Sequence, residues 1–204
     1  MTGGETIVVR TGTANLASVL AALERLGVPA RTSTDALDVD QADRLILPGV
    51  GAFGAAMDRL QADGLVEPLR RRIGSGGPTL AICLGMQLLF ESSDESPGRE
   101  GLCAVPGTLR RFTANVRIPQ MGWNRIVAEN SCRILTGGYV YFANSYRATE
   151  VPPGWSVATT DHGGSFLAAI ERGAVVACQF HPELSGSFGL ELIRRWLSIG
   201  GTSC

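Results

Sequence analysis

Lysine is missing altogether: all 18 basic residues of the 204-residue chain are arginine. That excludes Schiff-base chemistry, a pyridoxal-type anchor and the lysine of a phosphate-binding loop. Histidine is scarce too, with only His162 and His181, too few for a three-histidine metal site. No run of eighteen apolar residues occurs, and no secretory leader pattern opens the chain. Neither membrane spanning nor secretion is therefore expected. A large excess of one charge is also lacking: 18 basic against 19 acidic side chains give a net charge of -1. That balance argues against a broad nucleic-acid surface. The densest basic run, Arg70-Arg71-Arg72, reads as a solvated helix end.

The five cysteines, Cys83, Cys103, Cys132, Cys178 and Cys204, are odd in number and contain no CxxC pair. This favours a reducing, cytoplasmic setting and gives no support to a structural zinc. With 45% hydrophobic and 18% charged residues, the composition is that of a folded globular chain. One domain over residues 1–204, with a sizeable core, is expected.

The first half alternates short apolar runs with amphipathic stretches. Thr6 to Val9 reads as a strand, and Leu16, Val19, Leu20, Leu23 and Leu26 recur at helical spacing until Gly27. Arg44 to Leu47 is a second strand, ended by Pro48-Gly49-Val50-Gly51, with helices following from about Ala52 to Leu60 and Leu65 to Ile73. Thr79 to Ile82 is a third strand, and Met86 to Phe90 continues as a helical pattern. This rhythm predicts an α/β fold with a mostly parallel central sheet flanked by helices. Gly101 to Ile170 changes character, with short alternating runs at Tyr139 to Ala143 and Phe166 to Ile170, and reads as an added smaller mixed or antiparallel sheet. Ala174 to Cys178 is another buried strand, and a last helix spans about Ser187 to Ile199.

Two strand exits carry reactive side chains. Cys83 ends the third strand and precedes a helix, a place at the carboxyl edge of a parallel sheet where such folds put their sites. A helix N-terminus there favours the thiolate, although a satisfied core cysteine is an equal reading of this feature alone. Cys103, Cys132 and Cys204 lack such a position, and Cys178 reads as core. His181 also follows a strand directly, and Glu183 is close enough to fix its tautomer. A lone His-x-Glu would be a buried structural pair by default. Together the two exits support a Cys-His-Glu nucleophilic triad acting through an acyl-enzyme. The glycines of Gly49-Val50-Gly51 and the amide of Leu84 supply candidate oxyanion donors. The same turn would also suit a phosphate, but no GxGxxG follows the first strand.

These residues resemble the class I glutamine amidotransferases, and among them the family of glutaminase subunits of imidazole glycerol phosphate synthase. The resemblance runs through Leu47-Pro48-Gly49-Val50-Gly51-Ala52-Phe53-Gly54, Cys83-Leu84-Gly85-Met86-Gln87-Leu88-Leu89-Phe90, Met121-Gly122-Trp123-Asn124, Tyr141-Phe142, Ser145-Tyr146 and Gln179-Phe180-His181-Pro182-Glu183. It implies hydrolysis of glutamine to glutamate and ammonia without a metal or organic cofactor. Cys83 would be the nucleophile, His181 the base and then the acid, and Glu183 the orienting carboxylate. Gly51 and Leu84 would form the oxyanion hole. Gln87, Glu95, Ser145 and Tyr146 match positions that hold the glutamine. The resemblance further implies a heterodimer with a (β/α)8-barrel synthase subunit, contacted by Asn15, Pro119, Met121 and Trp123. That barrel would use the ammonia to make imidazole glycerol phosphate and aminoimidazole carboxamide ribonucleotide in histidine biosynthesis. Activation by the partner would reorganise Pro48 to Gly51.

The chain departs from the family pattern at several places. Ala81 stands two residues before the nucleophile where glycine is usual, and Ala14 replaces the glycine before Asn15. Arg10, Gln120, Asn144, Arg147 and Leu184 are further departures, the last in place of a lysine. Two other functions stay open on the sequence: a glutaminase serving a different synthase, and a non-catalytic scaffold that keeps the triad.

Overall fold

A computed structural model describes residues 4–12, 15–113 and 115–199. Ala14 and Cys204 lie outside the described residues. In chain order the elements are β1 (Thr6–Val9), α1 (Leu16–Arg25), β2 (Ala30–Ser33), α2 (Ala36–Gln41), β3 (Arg44–Gly49), α3 (Phe53–Ala62) and α4 (Val66–Gly74). Next come β4 (Thr79–Cys83), α5 (Leu84–Leu88), β5 (Phe90–Ser93), β6 (Val105–Arg111), β7 (Gln120–Ala128) and β8 (Gly138–Asn144). The chain closes with β9 (Tyr146–Arg147), β10 (Ser156–Asp161), β11 (Ser165–Arg172), β12 (Val175–Cys178), a 3-10 turn at Pro182–Leu184 and α6 (Gly186–Ile199).

Nine strands form one sheet in the order β2-β1-β3-β4-β12-β11-β10-β7-β8. The pairs from β2 through β12 are parallel, and those from β12 through β8 are antiparallel. Side chains of the parallel half alternate between two apolar layers. Ile7, Val9, Leu45, Leu47 and Ala81 pack with Val39, Phe53, Leu60 and Leu69 of α2, α3 and α4. Val8, Ile46, Leu80 and Ile82 pack on the other side with Val19 and Leu23 of α1 and Leu192 and Trp196 of α6. A strand buried on both faces reads as a continuous apolar run, which is how TIVV and RLIL appear in the sequence. Asn15 caps α1 by accepting from the Ser18 amide, and Gly27 at φ +70° turns the chain after it.

The α/β class and the sheet flanked by helices are as expected, with three differences. First, β2 and α2 lie between the expected first and second strands. β2 is a polar edge strand, ARTS, and α2 buries only Val39, so neither carries an apolar period. Second, the helix after Cys83 stops at Leu88, and Phe90 opens β5 instead. Pairing of Phe90 with Val105 overrides the local apolar run. Third, most of the 101–170 segment extends the main sheet, because β11 pairs with β12; only β5, β6 and β9 form the smaller mixed sheet.

The antiparallel wing curls. Its edge strand β8 returns to the chain just past β12, where Tyr141 and His181 form an antiparallel bridge. The His181 amide donates to the Tyr141 carbonyl at 2.9 Å. Inside the curl, Phe142 packs edge-on against both Phe166 and Phe180 with ring centroids 5.8 Å apart. The arginine run is only partly solvated. Arg72 is buried and donates to the Val39 and Pro78 carbonyls at 3.2 and 2.9 Å. Burial lowers the affinity of that guanidinium for its proton, opposed by Asp43 and Asp40.

Candidate active site

Cys83 sits at the tip of β4 with φ 55° and ψ -110°, a conformation that a non-glycine residue adopts only when its surroundings hold it there. The sharp turn lifts its side chain out of the sheet edge. What holds it is close packing of α5 on β3. A Cβ on Gly85 would lie 1.9 Å from the Leu47 carbonyl oxygen, and one on Gly49 would lie 2.9 Å from the Leu84 Cβ. Ala81, two residues earlier, fits without strain: it is fully buried in register between Leu47 and Ala177.

His181 follows β12 on the neighbouring strand. Its Nδ1 lies 2.8 Å from Glu183 Oε1, and both side chains are buried, 6% and 2% exposed. The turn bearing them is pinned from behind, since Ser185 donates to the His181 carbonyl at 2.6 Å and accepts from the Tyr141 amide at 2.9 Å. Burial would lower the imidazole, but hydrogen bonds to Cys83 and Glu183 outweigh it and push it up from 6.5 to about 10. An imidazolium oriented by a carboxylate is placed to give its proton to a group leaving from the neighbouring sulfur.

A cavity of about 220 Å³ opens over this pair and is lined by Val50, Gly51, Cys83, Leu84, Gln87, Glu95, Ser145, Tyr146 and His181, together with Ala143 and Asn144. Every expected residue of the triad, oxyanion turn and glutamine pocket therefore borders one space except Glu183, which stands behind His181. Gly51 turns the chain at φ +96° beside Cys83. Glu95 is anchored at the pocket wall by accepting from the Phe53 amide at 2.7 Å. A larger groove of about 500 Å³ beside Met57, Arg70 and Arg99 holds no nucleophile.

The expected partner residues Asn15, Pro119, Met121 and Trp123 are all exposed. Met121 and Trp123 stand out at 61% and 58%. Trp123 stacks edge-on against Tyr141 at 6.2 Å, and so reaches the strand that bridges to His181. Gln120 and Asn144 are buried side by side across β7 and β8, and Leu184 is exposed beyond Glu183. Of the other cysteines, Cys178 is buried core, where burial, Glu183 and Glu171 raise its thiol; Cys103 is exposed. Burial, with Glu171, pushes the Cys132 thiol up to about 11. Among the described residues no group of three His, Cys, Asp or Glu is placed to hold a metal ion. No helix among them is long and apolar enough to cross a membrane.

Three participants are missing from the expected set. Ala143 offers its carbonyl oxygen 4.0 Å from the Cys83 sulfur. Thr11 donates to the Pro48 carbonyl at 3.2 Å, tying the start of the glycine turn to the chain after β1. Gln179 donates to the sulfur itself. Its place was readable only from strand register, because Cys178 pairs with Ile82 and the next step sets Gln179 beside Cys83.

A cysteine elbow, an adjoining His-Glu pair and an α/β sheet define a class of protein, and residues 11–198 match the family described as Glutamine amidotransferase class-I. A solved structure described as a glutamine amidotransferase superposes with a TM-score of 0.77 at 21% identity, covering 96% of this chain and 99% of that one, a likeness of fold. Two relatives narrow the class. The imidazole glycerol phosphate synthase subunit HisH of Streptococcus gordonii is 44% identical, with 93% of this chain and 94% of that protein covered. The chloroplastic imidazole glycerol phosphate synthase hisHF of Arabidopsis thaliana is 43% identical, covering 91% of this chain and 33% of that protein. The chain belongs to the class I glutamine amidotransferases, in the family of imidazole glycerol phosphate synthase HisH subunits.

Proposed function

We propose that this chain hydrolyses glutamine to glutamate and ammonia, and passes the ammonia to a barrel-type synthase subunit with which it forms a heterodimer. The observation that carries the reading is the single cavity joining Cys83, His181 and Glu95, in a chain 44% identical to a HisH subunit. The Cys83 thiolate attacks the side-chain amide carbon of glutamine, and the carbonyl oxygen becomes an oxyanion facing the amides of Gly51 and Leu84. His181, oriented by Glu183, gives its proton to the departing nitrogen, which leaves as ammonia. Water then loses a proton to His181 and attacks the thioester, releasing glutamate and restoring the thiolate. Glu95 meets the α-amino group of the substrate, while Gln87 and the backbone of Ser145 and Tyr146 line the remainder. No step calls for a metal or an organic cofactor.

Asn15, Pro119, Met121 and Trp123 are the proposed contacts to the barrel, in which ammonia reacts with the ribulosyl form of the aminoimidazole carboxamide nucleotide intermediate to give imidazole glycerol phosphate and aminoimidazole carboxamide ribonucleotide. Free thiols at Cys83, Cys103, Cys132 and Cys178 accord with a cytoplasmic setting. Glutamate release is expected to be slow for the isolated chain and to rise when the barrel subunit and its nucleotide ligand are added. Cys83→Ala should abolish it and leave ammonia-driven synthesis by the barrel intact. Equal glutamate release from the parent pair and the Cys83→Ala pair would sink the enzyme reading. Stimulation by a different synthase and not by the barrel would assign the chain another partner.

A further inference from the structure

Gln179 follows β12 directly, beside Cys83, and is almost wholly inaccessible, at 1% exposure. Its Nε2 donates to Cys83 Sγ at 3.8 Å, a length suited to sulfur. A carboxamide can be rotated end for end, so its donor side must be fixed by something else. Gln87 fixes it. The Tyr146 carbonyl can only accept, and Gln87 therefore presents Nε2 to it, at 3.4 Å. The same Nε2 donates to Gln179 Oε1 at 3.0 Å. With its oxygen committed to Gln87, Gln179 has only its amino group to offer the sulfur. Rotated the other way, it would set amino group against amino group and turn an acceptor toward the sulfur in place of a donor.

The direction of this chain has a chemical consequence. A donor aimed at sulfur stabilises the anion more than the neutral thiol, and does so more strongly where water is excluded. Gln87 is also buried, at 6%, so water competes little for either amide. His181 approaches from the strand exit and must later give its proton to the leaving group. Gln179 has no such duty and stays a donor throughout. We propose that Gln179 is a further catalytic residue of the site: held in orientation by Gln87, it keeps the Cys83 sulfur as the attacking anion while His181 exchanges protons. Gln87 is then a positioning residue that couples the Tyr146 wall of the glutamine pocket to the nucleophile. The assignment rests on the glutaminase reading, but its test needs no glutamine.

The test is the pH profile of Cys83 alkylation by iodoacetamide in the full-length chain, followed by mass analysis of the Cys83 peptide. Exposed Cys103 serves as an internal reference. In Gln179→Met, which fills the space without a donor, the midpoint at Cys83 is expected to move up by about one pH unit. Gln179→Glu, with an acceptor in place of the donor, should move it at least as far. Gln87→Met leaves Gln179 present but unoriented and should give a smaller move in the same direction. In the assembled synthase, Gln179→Met should lower kcat for glutamine about tenfold with KM little changed, as expected for an interaction with the reacting atom. A folded Gln179→Met protein with an unmoved Cys83 profile overturns the proposal. If that variant does not fold, an unmoved profile in Gln87→Met overturns it equally. A parent protein that alkylates as described but hydrolyses no glutamine would defeat the glutaminase reading, and with it the catalytic role, while leaving the Gln179 donor to the sulfur in place.

Discussion

His181 holds its proton because two acceptors face it, and that makes its contribution to stability depend on pH. Its folded-state value, about 10, lies above the ordinary 6.5. A group raised on folding stabilises fully below its unfolded value and loses that effect as pH climbs through the folded one. The melting-temperature gap between the protein and a His181→Gln variant should therefore be widest near pH 6 and narrow toward pH 10. Scanning calorimetry in a pH series measures it; a gap that widens with pH would mean that His181 is neutral in the folded site. The same residue shows how far sequence reading reaches. Cys83, His181 and Glu183 were legible because strand exits can be counted along a chain. Gln179 and Ala143 were not, since each meets the sulfur through a register or a curl that no local pattern encodes.

At the scale of elements, the cysteine elbow depends on how closely α5 lies on β3. Gly85→Ala places a methyl against the Leu47 carbonyl, a backbone atom that cannot rotate away. Forcing the helix off the strand is expected to cost about 1–3 kcal/mol. It should also reduce glutamine turnover by more than the stability loss accounts for, because Cys83 moves with the helix. Thermal melts beside initial rates separate the two effects; a variant with normal rates would show that the elbow tolerates displacement. The parallel core was plain in the sequence because runs such as TLAIC are apolar on both faces. β2 and α2 were not, for the opposite reason: a polar edge strand and a six-residue helix bury too little to leave a period. The smaller sheet was anticipated, but the wing was assigned to it rather than to the main sheet. That choice is decided by the pairing of β11 with β12, a contact between strands whose own sequences suit either sheet.

For the whole molecule, the exposed face of β7 and the active site are adjacent. Met121 and Trp123 are large apolar side chains in water, yet Trp123 rests on Tyr141, whose backbone holds the His181 turn. Trp123→Ala should leave the melting temperature nearly unchanged, since the ring is 58% exposed. Affinity for the barrel subunit is expected to fall by about 2 kcal/mol, or roughly thirtyfold, as for a central aromatic anchor. Titration calorimetry with the barrel reads this directly, and undiminished affinity would place the interface elsewhere.

The bridge between Tyr141 and His181 also sets an order of events during synthesis. The sulfur at position 83 emerges early, its neighbour Ala143 comes 60 residues later, and Gln179 follows Cys83 by 96. A chain still being made thus carries its thiol without base, donor or the strand that shapes the cavity. Glutamine meets no working site until β8 has swung round to close on the segment after β12. The site is therefore whole only once the segment after β12 has been made and paired.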